Sequence, residues 1–261
     1  VLRFCCLGSG SGGNAYVVEA SDDSGAIQVL IDDGFSPREL QRRLVRAGVD
    51  IASLGAILVT HEHGDHAGGV AAFARRRDLP VYATQGTAAA AGFEQRVRRL
   101  HRIRAGAELR IGPLQVLPIE VPHDASEPVQ FMLSHGERRL AILTDLGHPA
   151  PAVIAMLSRL NALVLEFNHD LQMLRAGPYS DALKARIESD VGHLSNSQSV
   201  QFLQLLDRGQ LTRVVAAHLS QTNNRPHLAR QAVGCVGMPG HVQCDVADQA
   251  LGLDWRTVGP P

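Results

Sequence analysis

Six consecutive residues, His61-Glu62-His63-Gly64-Asp65-His66, directly follow the apolar run Ala56-Ile57-Leu58-Val59-Thr60. Imidazole nitrogens and carboxylate oxygens at this spacing are the ligand types of a divalent transition metal. In extended backbone, side chains two positions apart share a face, so His61 and His63 can hold one ion. Asp65 and His66, past the bend at Gly64, can reach a second, while Glu62 points the other way. Histidines so crowded after a strand rarely arise for packing alone, and the run predicts half of a two-metal site.

The other half needs two more histidines and a bridging carboxylate, each at a strand end. Val116 to Pro122 leads into His123, Leu140 to Thr144 into Asp145, and Val214 to Ala217 into His218. Each is a short apolar run closed by a ligand type, the arrangement that sets reactive groups on the rim of a rigid sheet. Two ions roughly 3.5–4 Å apart bring the bridging water towards a neutral pKa as the attacking hydroxide, grip a substrate oxygen and neutralise charge, so no side-chain nucleophile is required. Asp65 or Asp145 can then take the proton of the water. His193, in Gly192-His193-Leu194-Ser195-Asn196, is the candidate to contact or protonate a leaving group. The plainer account of His193 is a loop histidine ahead of a helix capped by Ser195 and Gln198.

Around these residues the patterning predicts strands over Val1–Leu7, Ala15–Ala20 and Ile27–Ile31, with a hairpin turn at Ser21–Gly25. A helix over Pro37–Ala47 follows, with Ser36 as N-cap and Pro37 in the first turn. Next come helices over Ala67–Arg77 and Thr84–Arg99, flanking a short strand at Val81–Ala83. The later half gives strands ending at His123, Asp145, Glu166 and His218, and helices near Pro151–Ser158, Tyr179–Ser189 and Ser197–Leu206. Strands, then helices, then strands again imply an α/β chain of two facing sheets with helices outside, a four-layer αββα sandwich. No linker or repeat divides it, so residues 1–261 are expected to form one domain.

Gly8-Ser9-Gly10-Ser11-Gly12-Gly13 satisfies GxGxxG, with Asp32 and Asp33 downstream, yet a dinucleotide fingerprint requires a helix directly after the glycines. Ala15-Tyr16-Val17-Val18-Glu19 is a strand pattern instead, so the glycines form a strand-to-strand turn near the cleft. Ser11 and Asn14 could meet a substrate phosphate there, although Asn14 suits a turn equally well.

With 45% hydrophobic residues in 261, the chain can bury a sizeable core. Absence of a long apolar run and of a secretory signal points to the cytoplasm, with no membrane association. Cys5 and Cys6 are adjacent and Cys235 and Cys244 stand apart, which makes poor disulfide material. Cys235, His241 and Cys244 supply too few ligands for a closed zinc site, so ordinary thiols are expected. A net charge of −1 decides nothing about nucleic acid, but all of the 25 basic residues except Lys184 are arginine. Arg75-Arg76-Arg77 and the set Arg96, Arg98, Arg99, Arg102 and Arg104 could steer a polyanion, or could be a solvated face in an arginine-biased chain.

The HxHxDH run with later His, Asp and His resembles the metallo-β-lactamase fold hydrolases, over nearly the whole chain from Leu30-Ile31-Asp32-Asp33-Gly34 to Ala217-His218-Leu219-Ser220. The resemblance implies that His61, His63 and His123 hold one metal, that Asp65, His66 and His218 hold the other, and that Asp145 bridges them. It also implies that Asp32 buttresses the site from behind. True β-lactamases place a cysteine in the second site and lack the bridging aspartate, so antibiotic hydrolysis is not expected.

SGSGGN, Glu166-Phe167-Asn168-His169-Asp170, Gly177-Pro178-Tyr179, GHLSN and the stretch from His218 to Asn224 resemble the YycJ (WalJ) group within that fold. This implies a metal-dependent phosphodiesterase or nuclease, with DNA 5′-exonuclease activity attributed to some members, and Asn168 and His193 among the substrate contacts. The interval from Asp145 to His218 is too short for the domain inserted in β-CASP nucleases. That from His123 to Asp145 is too short for the flexible arm of ribonuclease Z proteins.

The expected cofactors are therefore two divalent ions, zinc first and manganese or iron as alternatives, since imidazole and carboxylate accept all three. A nucleic acid or nucleotide phosphodiester is the expected substrate, and no obligate protein partner is evident. The rival enzyme is a glyoxalase II-like hydrolase of a small thioester or lactone, for whose usual C-terminal substrate domain the stretch after Gln231 leaves little space. A metal-bound scaffold is the non-enzymatic alternative.

Overall fold

The computed structural model describes residues 1–23 and 25–259. One sheet contains β1 (Leu2–Gly8), β2 (Ala15–Asp22), β3 (Gly25–Ile31), β4 (Leu54–Leu58), β5 (Val81–Ala83) and β6 (Leu100–Arg102). The other contains β7 (Leu109–Ile111), β8 (Leu114–Glu120), β9 (Val129–His135), β10 (Arg138–Leu143), β11 (Ala162–Glu166), β12 (Arg213–Ala217) and β13 (Gln243–Val246), and β14 (Leu253–Thr257) returns to the first sheet beside β1. Among the described residues both sheets are seven-stranded, ordered β14-β1-β2-β3-β4-β5-β6 and β13-β12-β11-β10-β9-β8-β7. Each runs antiparallel on one side and parallel on the other, the change falling at β3 and at β10. Parallel neighbours need crossover connections, and these carry all ten of the α-helices among the described residues.

Side-chain alternation along the strands builds the layers. Phe4, Val18, Leu58, Phe131, Ile142, Val164 and Val215 fill the core between the sheets. Their neighbours Cys5, Val17 and Ile57 face outward from the first sheet, where α1 (Pro37–Arg46), α2 (Gly64–Ala67), α3 (Val70–Arg77), α4 (Gln85–Ala90) and α5 (Phe93–Arg96) cover them. Ala141, Leu163 and Val214 do the same on the second sheet, beneath α6 (Pro151–Met156) and, beyond α7 (Leu171–Ala176) and α8 (Asp181–Ile187), α9 (Asn196–Leu205) and α10 (Pro226–Gly234). Strands apolar on both faces are what a sheet covered on both sides demands. The expected αββα sandwich is the observed architecture.

Helix starts follow local chemistry. Ser36 accepts from Glu39 N with Pro37 in the first turn, and Ser195 and Gln198 form a reciprocal capping box ahead of α9. Two helices are shorter than their patterns. That expected over Ala67–Arg77 is broken between α2 and α3, because the Asp33–Phe35 turn presses on Gly69: its N–H donates to Asp33 O, and a Cβ there would sit 2.1 Å from Phe35 O. The helix expected over Thr84–Arg99 divides into α4 and α5 at Gly92, which is left-handed with φ 64°, and the chain then extends into β6. The hairpin turn expected at Ser21–Gly25 includes Ser24, which lies outside the described residues. Among those described, no helix is long and apolar enough to cross a membrane, and Cys235, His241 and Cys244 do not gather into a ligand group. All four cysteines are free, with Cys5 and Cys6 buried.

Candidate metal centre

The expected ligands lie just past the C-terminal ends of four strands, Asp65 and His66 within α2 and the rest in loops. His61, His63, Asp65 and His66 follow β4, His123 follows β8, Asp145 follows β10 and His218 follows β12. Asp145 and His218 have φ of 55° and 54°, and Asp32, after β3, has 59°. This left-handed region is uncommon outside glycine, and residues held in it cluster where surrounding structure dictates their conformation.

The ligand atoms converge in overlapping groups. One contains His61, His63 and His123, another Asp65, His66 and His218, and Asp145 joins His61 with His66 between them. His63 Nδ1 is 3.3 Å from His123 Nε2. Asp145 Oδ2 lies 3.1 Å from His66 Nε2, and Asp145 Oδ1 lies 3.9 Å from His123 Nε2. Asp65 Oδ2 lies 3.6 Å from His66 Nε2 and 3.7 Å from His218 Nε2.

Whether cations fit here is answered by what the inner atoms lack. His61 Nε2, His218 Nε2 and Asp145 Oδ2 are buried without a hydrogen-bond partner, a condition that costs about 1–3 kcal/mol for each neutral group. On the far side of the rings the partners are present: Thr60 Oγ1 at 3.0 Å from His61 Nδ1, Asp32 Oδ2 at 2.8 Å from His66 Nδ1, Gly192 O at 3.2 Å from His123 Nδ1 and Glu166 Oε1 at 2.7 Å from His218 Nδ1. An acceptor on one ring nitrogen holds the proton there and turns the other lone pair to the centre. Thr60 donates both its N–H and its hydroxyl to Asp32, which locks that carboxylate behind His66. Burial, aided by the neighbouring His66, pushes His61 well below the usual imidazole range. Burial acts the same way on His66 and His218, but the carboxylates around them together outweigh it, Asp145 with Asp32 for His66 and Asp145 with Asp65 and Glu166 for His218, which is raised to about 10. Buried donor atoms that lack partners and face one another across carboxylates suit divalent cations, so the residues fit the metals they are expected to hold.

Metal loading should therefore stabilise the fold. At a free zinc concentration one hundred times its Kd, one bound ion adds about 2.7 kcal/mol, which for a chain of this size raises Tm by roughly 5–10 °C. Thermal melts before and after chelation read this directly, and an unchanged Tm would contradict it.

Glu166 is the functional residue that sequence reasoning passed over. Fully buried at the end of β11, it accepts from His193 Nδ1 at 2.9 Å and His218 Nδ1 at 2.7 Å through one oxygen. Through the other it accepts from Leu146 N and Leu194 N, both at 3.0 Å. One carboxylate thus pins the turns that carry Asp145, His193 and His218. Burial alone would raise its pKa, but His193 and His218 hold it at about 2. A signal existed, since Ala162-Leu163-Val164-Leu165 ends in an acid as the neighbouring strands end in Asp145 and His218.

The remaining candidates are placed unequally. His193 is partly exposed beside the ligands, 3.6 Å from Asp145 Oδ1, and Ser11 is exposed on a cavity that His193 also borders. Asn168 is buried on that cavity and donates to His218 O. Asn14 is fully buried, and its amide serves Gly10, both the carbonyl and carboxylate of Asp65 and, at 3.0 Å, His66 Nε2, which sets it beside those two ligand candidates. The glycine turn passes straight into β2, and within it Ser9 Oγ accepts from His218 N, so the turn braces the centre. Glu62 turns away, as alternation requires, and accepts from Ser126.

Five of the eight clustered arginines stand elsewhere. Arg75, Arg76 and Arg77 end α3, and Arg98 and Arg99 precede β6, which runs in the same direction as β4; these five lie at the end where the strands begin, opposite His61. Arg99 donates to Asp78 O, joining the two groups.

Two facing sheets with a His/Asp cluster on one shared edge define a hydrolase of the metallo-β-lactamase fold. Residues 28–219 match the model of the beta-lactamase superfamily domain, and the chain belongs to that superfamily. It is 35% identical over 240 residues, 90% of this chain and 89% of the relative, to Exodeoxyribonuclease YycJ of Bacillus anthracis. To Exodeoxyribonuclease WalJ of Streptococcus pneumoniae it is 29% identical over 260 residues, 98% and 93% of the two chains. The crystal structure of the metallo-beta-lactamase fold protein YhfI from Bacillus subtilis superposes with a TM-score of 0.73 at 14% identity, covering 98% of this chain and 100% of that one.

Proposed function

We propose that the protein is a phosphodiesterase acting on nucleic-acid ends, an exodeoxyribonuclease working with two divalent ions. The observation that carries this reading is the 35% identity to Exodeoxyribonuclease YycJ over 90% of this chain. When bound, the ions would supply an acidified water and charge neutralisation at the phosphorus. His61, His63 and His123 would hold one, Asp65, His66 and His218 the other, and Asp145 both. Zinc, manganese and iron all suit imidazole with carboxylate.

The chain's own residues supply the rest. Asp65, whose side chain is 27% exposed, borders solvent and can accept a proton from the attacking water. His193, held through Nδ1 by Glu166, keeps its Nε2 for the leaving oxygen. Asp32, Thr60 and Glu166 fix ring orientations so that little reorganises during reaction.

Metal-loaded protein should release p-nitrophenol from bis(p-nitrophenyl) phosphate and shorten end-labelled DNA. Turnover of S-lactoylglutathione without either activity would replace this reading with thioester hydrolysis.

A further inference from the structure

A cavity of about 180 Å³ opens beside the metal ligands and shares His193 with them. Its lining combines the apolar side chains of Tyr179, Leu183 and Ile187 with polar Asn168 and Ser220. Asn168 spends its Nδ2 on His218 O, which leaves Oδ1 as an acceptor. Tyr179 is half-buried, and its hydroxyl is engaged by no described residue. The walls are preformed: Ser180 caps α8 through Leu183 N, and a Cβ on Gly192 would sit 2.3 Å from the carbonyls of Arg186 and Ile187, so the His193 loop lies flush on that helix. Arg186, paired with Asp124, adds a cation at the same cavity.

We propose that this cavity seats one unpaired nucleobase, that of the terminal nucleotide whose phosphate lies at the metal centre. This rests on the phosphodiesterase reading and adds to it a site for the base. An aromatic ring with aliphatic neighbours offers a flat apolar surface to a base, and the Asn168 carbonyl offers an acceptor to its edge. Stacking of this kind tolerates any sequence, because every base has a π-face. The volume falls below the roughly 300–1,000 Å³ of sites for drug-sized ligands; one ring system fits and a base pair does not. A duplex end must therefore fray before its terminal base enters, and single strands are the better substrates.

The test measures binding as well as turnover. Calorimetry on metal-loaded protein compares thymidine 5′-monophosphate with inorganic phosphate, and the nucleotide should bind at least about tenfold tighter. Tyr179→Ala should remove about tenfold of that preference, Tyr179→Phe should keep it, and Leu183→Trp, which fills the cavity, should eliminate it. In parallel, the ratio of kcat/KM for thymidine 5′-(p-nitrophenyl phosphate) over methyl p-nitrophenyl phosphate should fall with the binding preference. Equal affinity for nucleotide and phosphate in the unmodified protein, or a preference that survives both Tyr179→Ala and Leu183→Trp, overturns the base site. A preference that responds to these substitutions in a protein unable to hydrolyse either ester supports the base site and overturns the phosphodiesterase reading alone.

Discussion

Asp145→Ala should lower kcat for phosphodiester hydrolysis by about 10³-fold or more and reduce bound metal. Asp145 is buried between the two ligand groups, with one oxygen 3.1 Å from His66 Nε2 and the other 3.5 Å from His218 Nδ1. Its removal takes one ligand from each proposed ion and the only carboxylate that both share. Transition-state charge stabilisation by such ions is worth several kcal/mol, and each 1.36 kcal/mol is tenfold in rate. The alanine variant carries a second burden, since position 145 sits at φ 55°, where a non-glycine residue without a helpful polar side chain is strained by about 1–2 kcal/mol. Asp145→Asn separates the two effects, because asparagine tolerates the left-handed region and keeps the shape while losing the charge. Metal analysis and kcat on both variants decide the matter; an asparagine variant with full metal content and near-normal rate would remove Asp145 from the bridging role.

The candidate ligand positions were legible in the sequence because each depends on a local pattern: a short apolar run rich in branched residues reads as a buried strand, and a His or Asp just past its end then lies on the sheet's edge. β4, β10 and β12 obey this within three residues. What the sequence could not display is tertiary. Glu166 has four donors from the turns that carry Asp145, His193 and His218, and only the parallel alignment of β10, β11 and β12 brings them to one carboxylate. Asn14 reads as a candidate substrate contact until Asp65 is seen folded against it. The break between α2 and α3 falls at Gly68-Gly69, a weak local signal, and is fixed by a turn more than thirty residues upstream that packs on Gly69. β9 is a different case, since Val129, Phe131 and Leu133 alternate with Gln130, Met132 and Ser134 and carry a plain strand signal. β6 and β7, three residues each, carry almost none.

His193→Ala is the substitution that separates chemistry from assembly at this centre. His193 gathers with Asp145, Glu166 and His218 rather than with either set expected to hold an ion, and its Nδ1 is spent on Glu166 Oε1, so its loss should leave metal content unchanged. It is nevertheless fixed beside them, with Nδ1 2.9 Å from Glu166 Oε1 and its ring 24% exposed towards the cleft, where a leaving oxygen needs a proton donor. Loss of a general acid lowers kcat by about 10²–10⁴-fold. The effect should be smaller for a p-nitrophenyl ester, whose leaving group departs without a proton, than for DNA, whose leaving alkoxide does not. Glu166→Gln should differ in kind: one oxygen becomes a donor, so the His193/His218 pair or the Leu146/Leu194 amides lose their acceptor, and metal affinity drops by about 10–100-fold along with the rate. A His193 variant that loses its metals, or one equally slow on both substrates, would show that this imidazole orders the centre and does not protonate the departing strand.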